Sequence, residues 1–140
     1  MKTYTSTEIQ NITGFSQIQI IHLVQRGVIN PYVDSTGRGH RRAYSWENLI
    51  EFLICKSLSA FNMDTHIMAA VIEQLNQGSF WENMIENLKT PYLTLIPVQG
   101  EWGWSFHDYK TIEGHLKNHR AATMLIIDMQ NIIKEAQKHV

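Results

Sequence analysis

The spacing of three helix-breaking residues near the start of the chain most constrains its fold. Gly14 ends an amphipathic segment that begins near Tyr4, because glycine tolerates the left-handed conformation that closes many helices. Ser16 opens a second segment whose apolar residues recur at helical spacing, Gly27 ends it, and Pro31 prevents it from resuming. Two short helices joined by a glycine-containing turn predict a helix-turn-helix.

A basic, glycine-containing loop follows the second predicted helix. The pairs Tyr32-Val33 and Ala43-Tyr44 have the composition of short strand ends on either side of this loop. The segment between them predicts a hairpin with a basic tip, because four cationic or titratable side chains lie within five positions. These are Arg38, His40, Arg41 and Arg42.

The rest of the chain alternates between helical and strand-like periods. Helices are predicted over residues 46–60, 65–77 and 79–88, followed by a hairpin over 93–106. After the hairpin, the pattern predicts a helix over 110–119, a strand over 122–127 and a last helix over 129–139. The predicted fold class is mainly α with a small β component (α+β). We expect a DNA-binding domain over residues 1–78 and a small α/β region for dimerisation or sensing over 79–140.

The formal net charge of −1 conceals an uneven distribution. Residues 1–62 contain six Lys and Arg against four Asp and Glu, whereas residues 63–140 contain six against nine. Local charge matters more than net charge for binding, because screening falls off over about 8–10 Å. The polar N-terminus and the lack of a long apolar stretch predict a cytoplasmic protein with no membrane partner.

No arrangement typical of catalysis or of a bound cofactor stands out in the sequence. Cys55 is the single cysteine, which excludes an intramolecular disulfide, and we expect it to be a buried core thiol. His115 and His119 have the i, i+4 spacing of a helical metal pair, but the sequence fixes no third ligand. We therefore predict no enzymatic activity, no cofactor and no metal site.

Three aromatic side chains alternate with small residues in the predicted hairpin. Trp102, Trp104 and Phe106 would share one face of a strand. They fit either a pocket for a flat apolar effector or the core or dimer face of the second region. The sequence leaves both interpretations open and names no effector.

Several motifs together resemble the DNA-binding domain of MerR-type transcription regulators. They are Tyr4-Thr-Ser-Thr-Glu8, Thr13-Gly-Phe-Ser16, Gly27-Val-Ile-Asn-Pro31 and Gly39-His-Arg-Arg-Ala-Tyr-Ser45, in this order and followed by a long apolar helix. The resemblance covers residues 3 to about 76. It implies a winged helix-turn-helix that binds double-stranded promoter DNA as a homodimer and regulates transcription by distorting the site. It also implies backbone contacts from Arg41, Arg42 and Tyr44, since wing arginines and the adjacent tyrosine have this role in the family.

The second predicted helix carries side chains suited to DNA recognition near its N-terminus. A helix that begins at Ser16 can enter the major groove, where Gln17 and Gln19 can pair with adenine. His22 can donate a hydrogen bond to a phosphate. The complete set of predicted DNA contacts is Ser16, Gln17, Gln19, His22, Arg38, His40, Arg41, Arg42 and Tyr44.

The chain also departs from the family pattern, and two alternative functions stay open. Ile21, His22 and Leu23 lie in the middle of the presumed recognition helix, where relatives often have an arginine and an aromatic pair. One alternative is an architectural DNA-binding protein of the excisionase type, with the same domain but no effector. The other is a protein-interaction module that reuses the helix-turn-helix, which Ile18 and Ile21 favour as apolar residues on the presumed DNA face.

Overall fold

The computed structural model describes residues 2–34, 41–77, 90–118 and 122–140. Within these residues it contains six helices and one three-stranded antiparallel sheet, which confirms the predicted α+β fold class. The helices are α1 Ser6–Thr13, α2 Gln17–Gln25, α3 Trp46–Ser59, α4 Thr65–Leu75, α5 Tyr109–Lys117 and α6 Met129–Gln137. The strands are β1 Tyr92–Val98, β2 Glu101–His107 and β3 Leu125–Asp128. The predicted helix over 79–88 lies outside the described residues.

The chain forms two compact units whose boundary differs from the predicted one. The first unit comprises Met1–Glu73 and Ile132–Val140, and the second comprises Gln74–Asn131. The last nine residues therefore belong to the first unit and not to the predicted 79–140 region. A physical reason is the backbone carbonyl of His139 near the end of the chain, which accepts hydrogen bonds from Lys2 Nζ at 2.8 Å and Tyr4 Oη at 2.9 Å.

Side-chain caps fix where α1 and α2 begin. The Thr5 hydroxyl accepts a hydrogen bond from the Glu8 backbone N–H at 3.2 Å, and the Glu8 carboxylate accepts one from the Thr5 N–H at 2.7 Å. Ser16 and Gln19 form the same reciprocal pair at 3.1 and 2.8 Å. Each pair satisfies backbone donors that a helix start leaves unpaired. The predicted start at Ser16 is thereby confirmed.

Two glycines end these helices as predicted. Gly14 adopts a left-handed conformation with φ of 78°, and its N–H donates to the Gln10 carbonyl at 2.8 Å. At the end of α2, Gly27 has φ of 73°, and the N–H of Val28 donates to the Leu23 carbonyl at 3.0 Å. This pattern is the Schellman motif, which turns the chain sharply away from the helix axis.

Helix α3 forms the centre of the core of the first unit. Phe52 is fully buried and packs edge-on against Phe15 and Tyr44, at ring-centroid distances of 6.5 and 5.2 Å. Cys55 is also fully buried on this helix, which confirms the predicted core thiol. Burial raises the pKa of Cys55, so the thiol stays protonated and unreactive at neutral pH.

The second unit is built on a sheet with the strand order β2-β1-β3. Strand β1 pairs antiparallel with both neighbours, so that Leu95 lies opposite Trp104 on one side and Leu125 on the other. Gln99 and Gly100 connect β1 and β2 with φ of 50° and 81°, the positive values that a two-residue hairpin turn requires. The predicted hairpin is confirmed.

Candidate nucleic-acid interface

The segment between α2 and α3 is anchored by two short β-bridges. Val33 and Ala43 exchange both backbone hydrogen bonds at 2.9 Å, and Tyr44 pairs with Tyr4 through bonds of 2.8 and 2.9 Å. Of the predicted strand ends at 32–33 and 43–44, Val33 and Ala43 therefore pair with each other, whereas Tyr44 pairs with Tyr4. Residues 35–40 lie outside the described part of the chain, and the predicted contacts of Arg38 and His40 lie there with them.

A surface cleft of about 500 Å³ joins the start of α1, the start of α2 and the residues that follow the loop. It brings together three of the predicted DNA contacts, Gln17, Arg41 and Arg42. It also includes residues that the sequence reasoning did not assign to the site. These are Thr5, Ser6, Thr7 and Ile21. The missed signal was the run Thr5-Ser6-Thr7 at a helix start, a common sequence for capping.

The cleft combines side-chain cations with the positive ends of helices. Arg41 is exposed, and Arg42 is partly buried with Nε 2.9 Å from Oδ1 of Asp34. The N-terminal turns of α1 and α2 carry partial positive charge, because their first N–H groups have no carbonyl partner within the helix. Such a surface favours an anionic ligand with spaced charges, as in a phosphate backbone.

The two glutamines near the start of α2 have different surroundings. Both side chains are exposed. Gln17 lines the cleft, and its side-chain oxygen accepts a hydrogen bond from the side-chain amide of Gln10. Gln19 uses its amide oxygen to cap the backbone of Ser16. Gln17 therefore has the freer position for contact with a ligand, whereas Gln19 has a structural role in helix formation.

Gln19 and His22 lie beside a different groove. This groove of about 480 Å³ is lined by both apolar and polar residues, and its apolar side chains include Ile18, Met63 and Met68. His22 is exposed there and is not among the residues of the cleft. Of the predicted set, Gln17, Arg41 and Arg42 thus line the cleft, whereas Gln19 and His22 line this groove.

The structure does not support the predicted DNA contact through Tyr44, because the side chain is buried. Its side chain is 1% exposed and packs against Phe52, while its backbone pairs with Tyr4. A tyrosine in this position belongs to the core, since its ring fills the space between the first residues of the chain and α3. Because Tyr44 is fixed in the core, it anchors the chain segment from which Arg41 and Arg42 extend into the cleft.

Asn48 is a buried structural residue that the sequence reasoning missed. Its side-chain oxygen accepts hydrogen bonds from the N–H groups of Tyr32 and Ser45, and its Nδ2 donates to the carbonyl of Asn30 and to Glu51, all at 3.0 Å. One amide therefore links the backbone on both sides of the basic loop to α3. The sequence signal was the pair Ser45 and Asn48, three residues apart at a helix start.

The described residues also bear on the other kinds of site considered in the sequence. Among the described residues, no group of three or more His, Cys, Asp or Glu side chains could hold a metal ion. None of the described helices combines the length and apolar character of a transmembrane segment. Trp104 and Phe106 contact each other edge-on at 6.3 Å and are only partly buried.

No protein-family model matches this chain, and no curated protein matches it.

Proposed function

We propose that this protein binds double-stranded DNA sequence-specifically through α1, α2 and the basic loop before α3, and regulates transcription. The observation that supports this proposal best is the cleft in which Gln17 lies beside Arg41 and Arg42. One surface then contains a side chain that can hydrogen-bond to a base edge and two cations that can bind phosphates. Transcription regulation in the cytoplasm is the corresponding biological role.

The side chains of this surface divide into positioning and reading groups. Arg41 and Arg42 would bind phosphates, which supplies affinity without sequence choice. Gln17 would pair with a base edge in the major groove. Beside the cleft, Ile18 lines the neighbouring groove, is 79% exposed and would contact a thymine methyl group, for which an apolar side chain is suited.

We propose that two copies bind together to a pseudo-palindromic site. The cation content of one first unit is small, and a second copy would double the number of phosphate contacts. Two recognition helices that grip adjacent half-sites would bend or twist the spacer between them. Such deformation costs about 1–6 kcal/mol, which additional backbone contacts would offset. Light scattering at micromolar concentration is expected to give the mass of a dimer, and a monomer mass would count against binding as a dimer.

A selection from random duplex oligonucleotides, followed by gel shift with non-specific competitor, tests the DNA-binding function. We expect an enriched motif with two related half-sites and a shift that excess unrelated DNA does not remove. Binding to all duplexes alike would reduce the function to architectural DNA binding. Failure to bind any duplex at low salt would refute DNA binding.

The exposure of Ile18 favours a second candidate function, recognition of another protein through α2. The two functions predict different effects of Ile18→Ser. In a DNA reader, the substitution weakens the preference for thymine at one position and leaves phosphate binding intact. In a protein-interaction module, wild type and variant both fail to bind DNA, and only association with the protein partner changes.

A further inference from the structure

Two histidines of the second unit lie side by side although they are eight residues apart. His107 ends β2 and His115 lies in the second half of α5. Their ring centroids are 5.2 Å apart with an angle of 59° between the ring planes. Both residues are half-buried, so the surrounding structure restricts the positions of both rings.

The turn between strand and helix fixes this pair. Asp108 caps α5, since its Oδ1 accepts a hydrogen bond from the Thr111 N–H at 2.7 Å. Because of this cap, α5 begins directly after β2, with Asp108 as the one residue between them. His115 lies about two helical turns further along α5, where its ring contacts that of His107. The proximity of the rings therefore follows from the backbone and does not depend on a loop conformation.

The separation of the rings matches that of two imidazoles on one metal ion. A Zn–N bond is about 2.0–2.1 Å long, and a ring nitrogen lies about 1.2 Å from the ring centroid. Two imidazoles at a tetrahedral angle on one cation then have centroids about 5 Å apart. The observed centroid distance is close to this value, so the two rings are near enough to bind one cation together.

We propose that His107 and His115 form a two-imidazole site for a divalent first-row transition metal such as Zn²⁺ or Cu²⁺. Imidazole is a preferred ligand of these ions, whereas Ca²⁺ and Mg²⁺ prefer oxygen. The nearby acids have other roles: Asp108 caps α5, and Glu113 lies 2.9 Å from Lys117 Nζ. Water would complete the coordination, which makes the ion exchangeable.

This pair differs from the one that the sequence offers. The i, i+4 spacing of His115 and His119 indicates two ligands on one helix, whereas the structure joins β2 to α5 through His107. A metal ion bound by His107 and His115 would link a strand to a helix and stabilise the second unit. The proposal is independent of DNA binding, which involves only residues of the first unit.

Calorimetric titration of the full chain with ZnCl₂, after treatment with a chelator, tests the site. His107→Gln and His115→Gln are each expected to weaken binding about tenfold or more, since each removes one of two protein ligands. His66→Gln is the matched control, because His66 is an exposed histidine on α4. Equal affinity in His107→Gln and wild type would overturn the proposal, as would loss of binding in His119→Gln alone.

A measurement on the unmodified chain avoids any effect of the substitutions on folding. In NMR spectra of the wild-type protein, Zn²⁺ is expected to shift the imidazole signals of His107 and His115 and to leave that of His66 in place. Shifts confined to other histidines, or no shift at millimolar Zn²⁺, would overturn the site.

Discussion

Asp34 holds the guanidinium of Arg42 at the edge of the cleft, with 2.9 Å between Oδ1 and Nε. The arginine side chain is 27% exposed and the aspartate side chain 62% exposed. The contact orients one of the two cations of the cleft and partly neutralises it. An acid beside a proposed phosphate contact lowers the affinity for DNA while it fixes the position of the arginine.

Asp34→Asn is expected to increase affinity for duplex DNA about two- to fivefold at low salt, because it removes a negative charge near the phosphates. The increase should shrink at higher salt. Fluorescence anisotropy with a labelled duplex measures both values. Glu113→Gln removes the same charge from α5 and is the control. An equal increase in both variants would show a net-charge effect and no specific role for the Arg42 contact.

Gln17→Ala and Gln19→Ala are expected to have different consequences. Gln17→Ala should change the preferred DNA sequence and leave the melting temperature near that of wild type, because its side chain is exposed and its hydrogen bond to Gln10 is at the surface. Gln19→Ala should lower stability by about 0.5–1 kcal/mol, because it removes half of the capping box of α2. Thermal unfolding and oligonucleotide selection separate the two effects. Altered preference in Gln19→Ala alone would reverse the assignment.

Tyr44→Phe is expected to bind DNA within about twofold of wild type, since a fully buried ring does not present its hydroxyl to a phosphate. Anisotropy at two salt concentrations measures this. Tyr44→Ala should instead destabilise the first unit by about 3–5 kcal/mol, because it leaves a cavity beside Phe52. A large loss of DNA affinity in a stably folded Tyr44→Phe protein would restore the original assignment of Tyr44 as a contact.

Asn48→Ala is expected to destabilise the protein by about 2–4 kcal/mol, because it leaves the buried N–H of Ser45 and the partly buried backbone groups of Asn30 and Tyr32 without their partner. Urea unfolding measures the loss. Asn11→Ala, an exposed asparagine on α1, is the control and should be nearly neutral. Similar stability in both variants would mean that water replaces the Asn48 amide.

Local signals in the sequence predicted much of this fold. Gly14, Ser16 and Ser45 mark helix ends through conformational preference and side-chain capping, which depend on neighbours within four residues. The Gln99-Gly100 turn is similarly local, since positive φ values at both positions select a tight hairpin.

Contacts between distant parts of the chain were not predictable in the same way. The bridge between Tyr4 and Tyr44 joins residues 40 positions apart, and it explains why a tyrosine beside a basic loop is buried. The bonds from Lys2 and Tyr4 to His139 likewise assign the end of the chain to the first unit. Amino-acid composition and hydrophobic periodicity do not indicate which distant residues pair. The cleft itself was only partly predicted, because the sequence pattern did not assign Thr5, Ser6 and Thr7 to a binding surface.

The dependence of DNA affinity on salt in Arg41→Ala tests the central claim most directly. Each lost phosphate contact reduces the slope of log K against log salt concentration by about 0.9. The matched control is Lys110→Ala, which removes one positive charge from an exposed position on α5. We predict that Arg41→Ala weakens binding to all duplexes and makes the slope shallower by about 0.9, while Lys110→Ala keeps the wild-type slope. Identical slopes in wild type, Arg41→Ala and Lys110→Ala would contradict the assignment of the cleft as the DNA-binding surface.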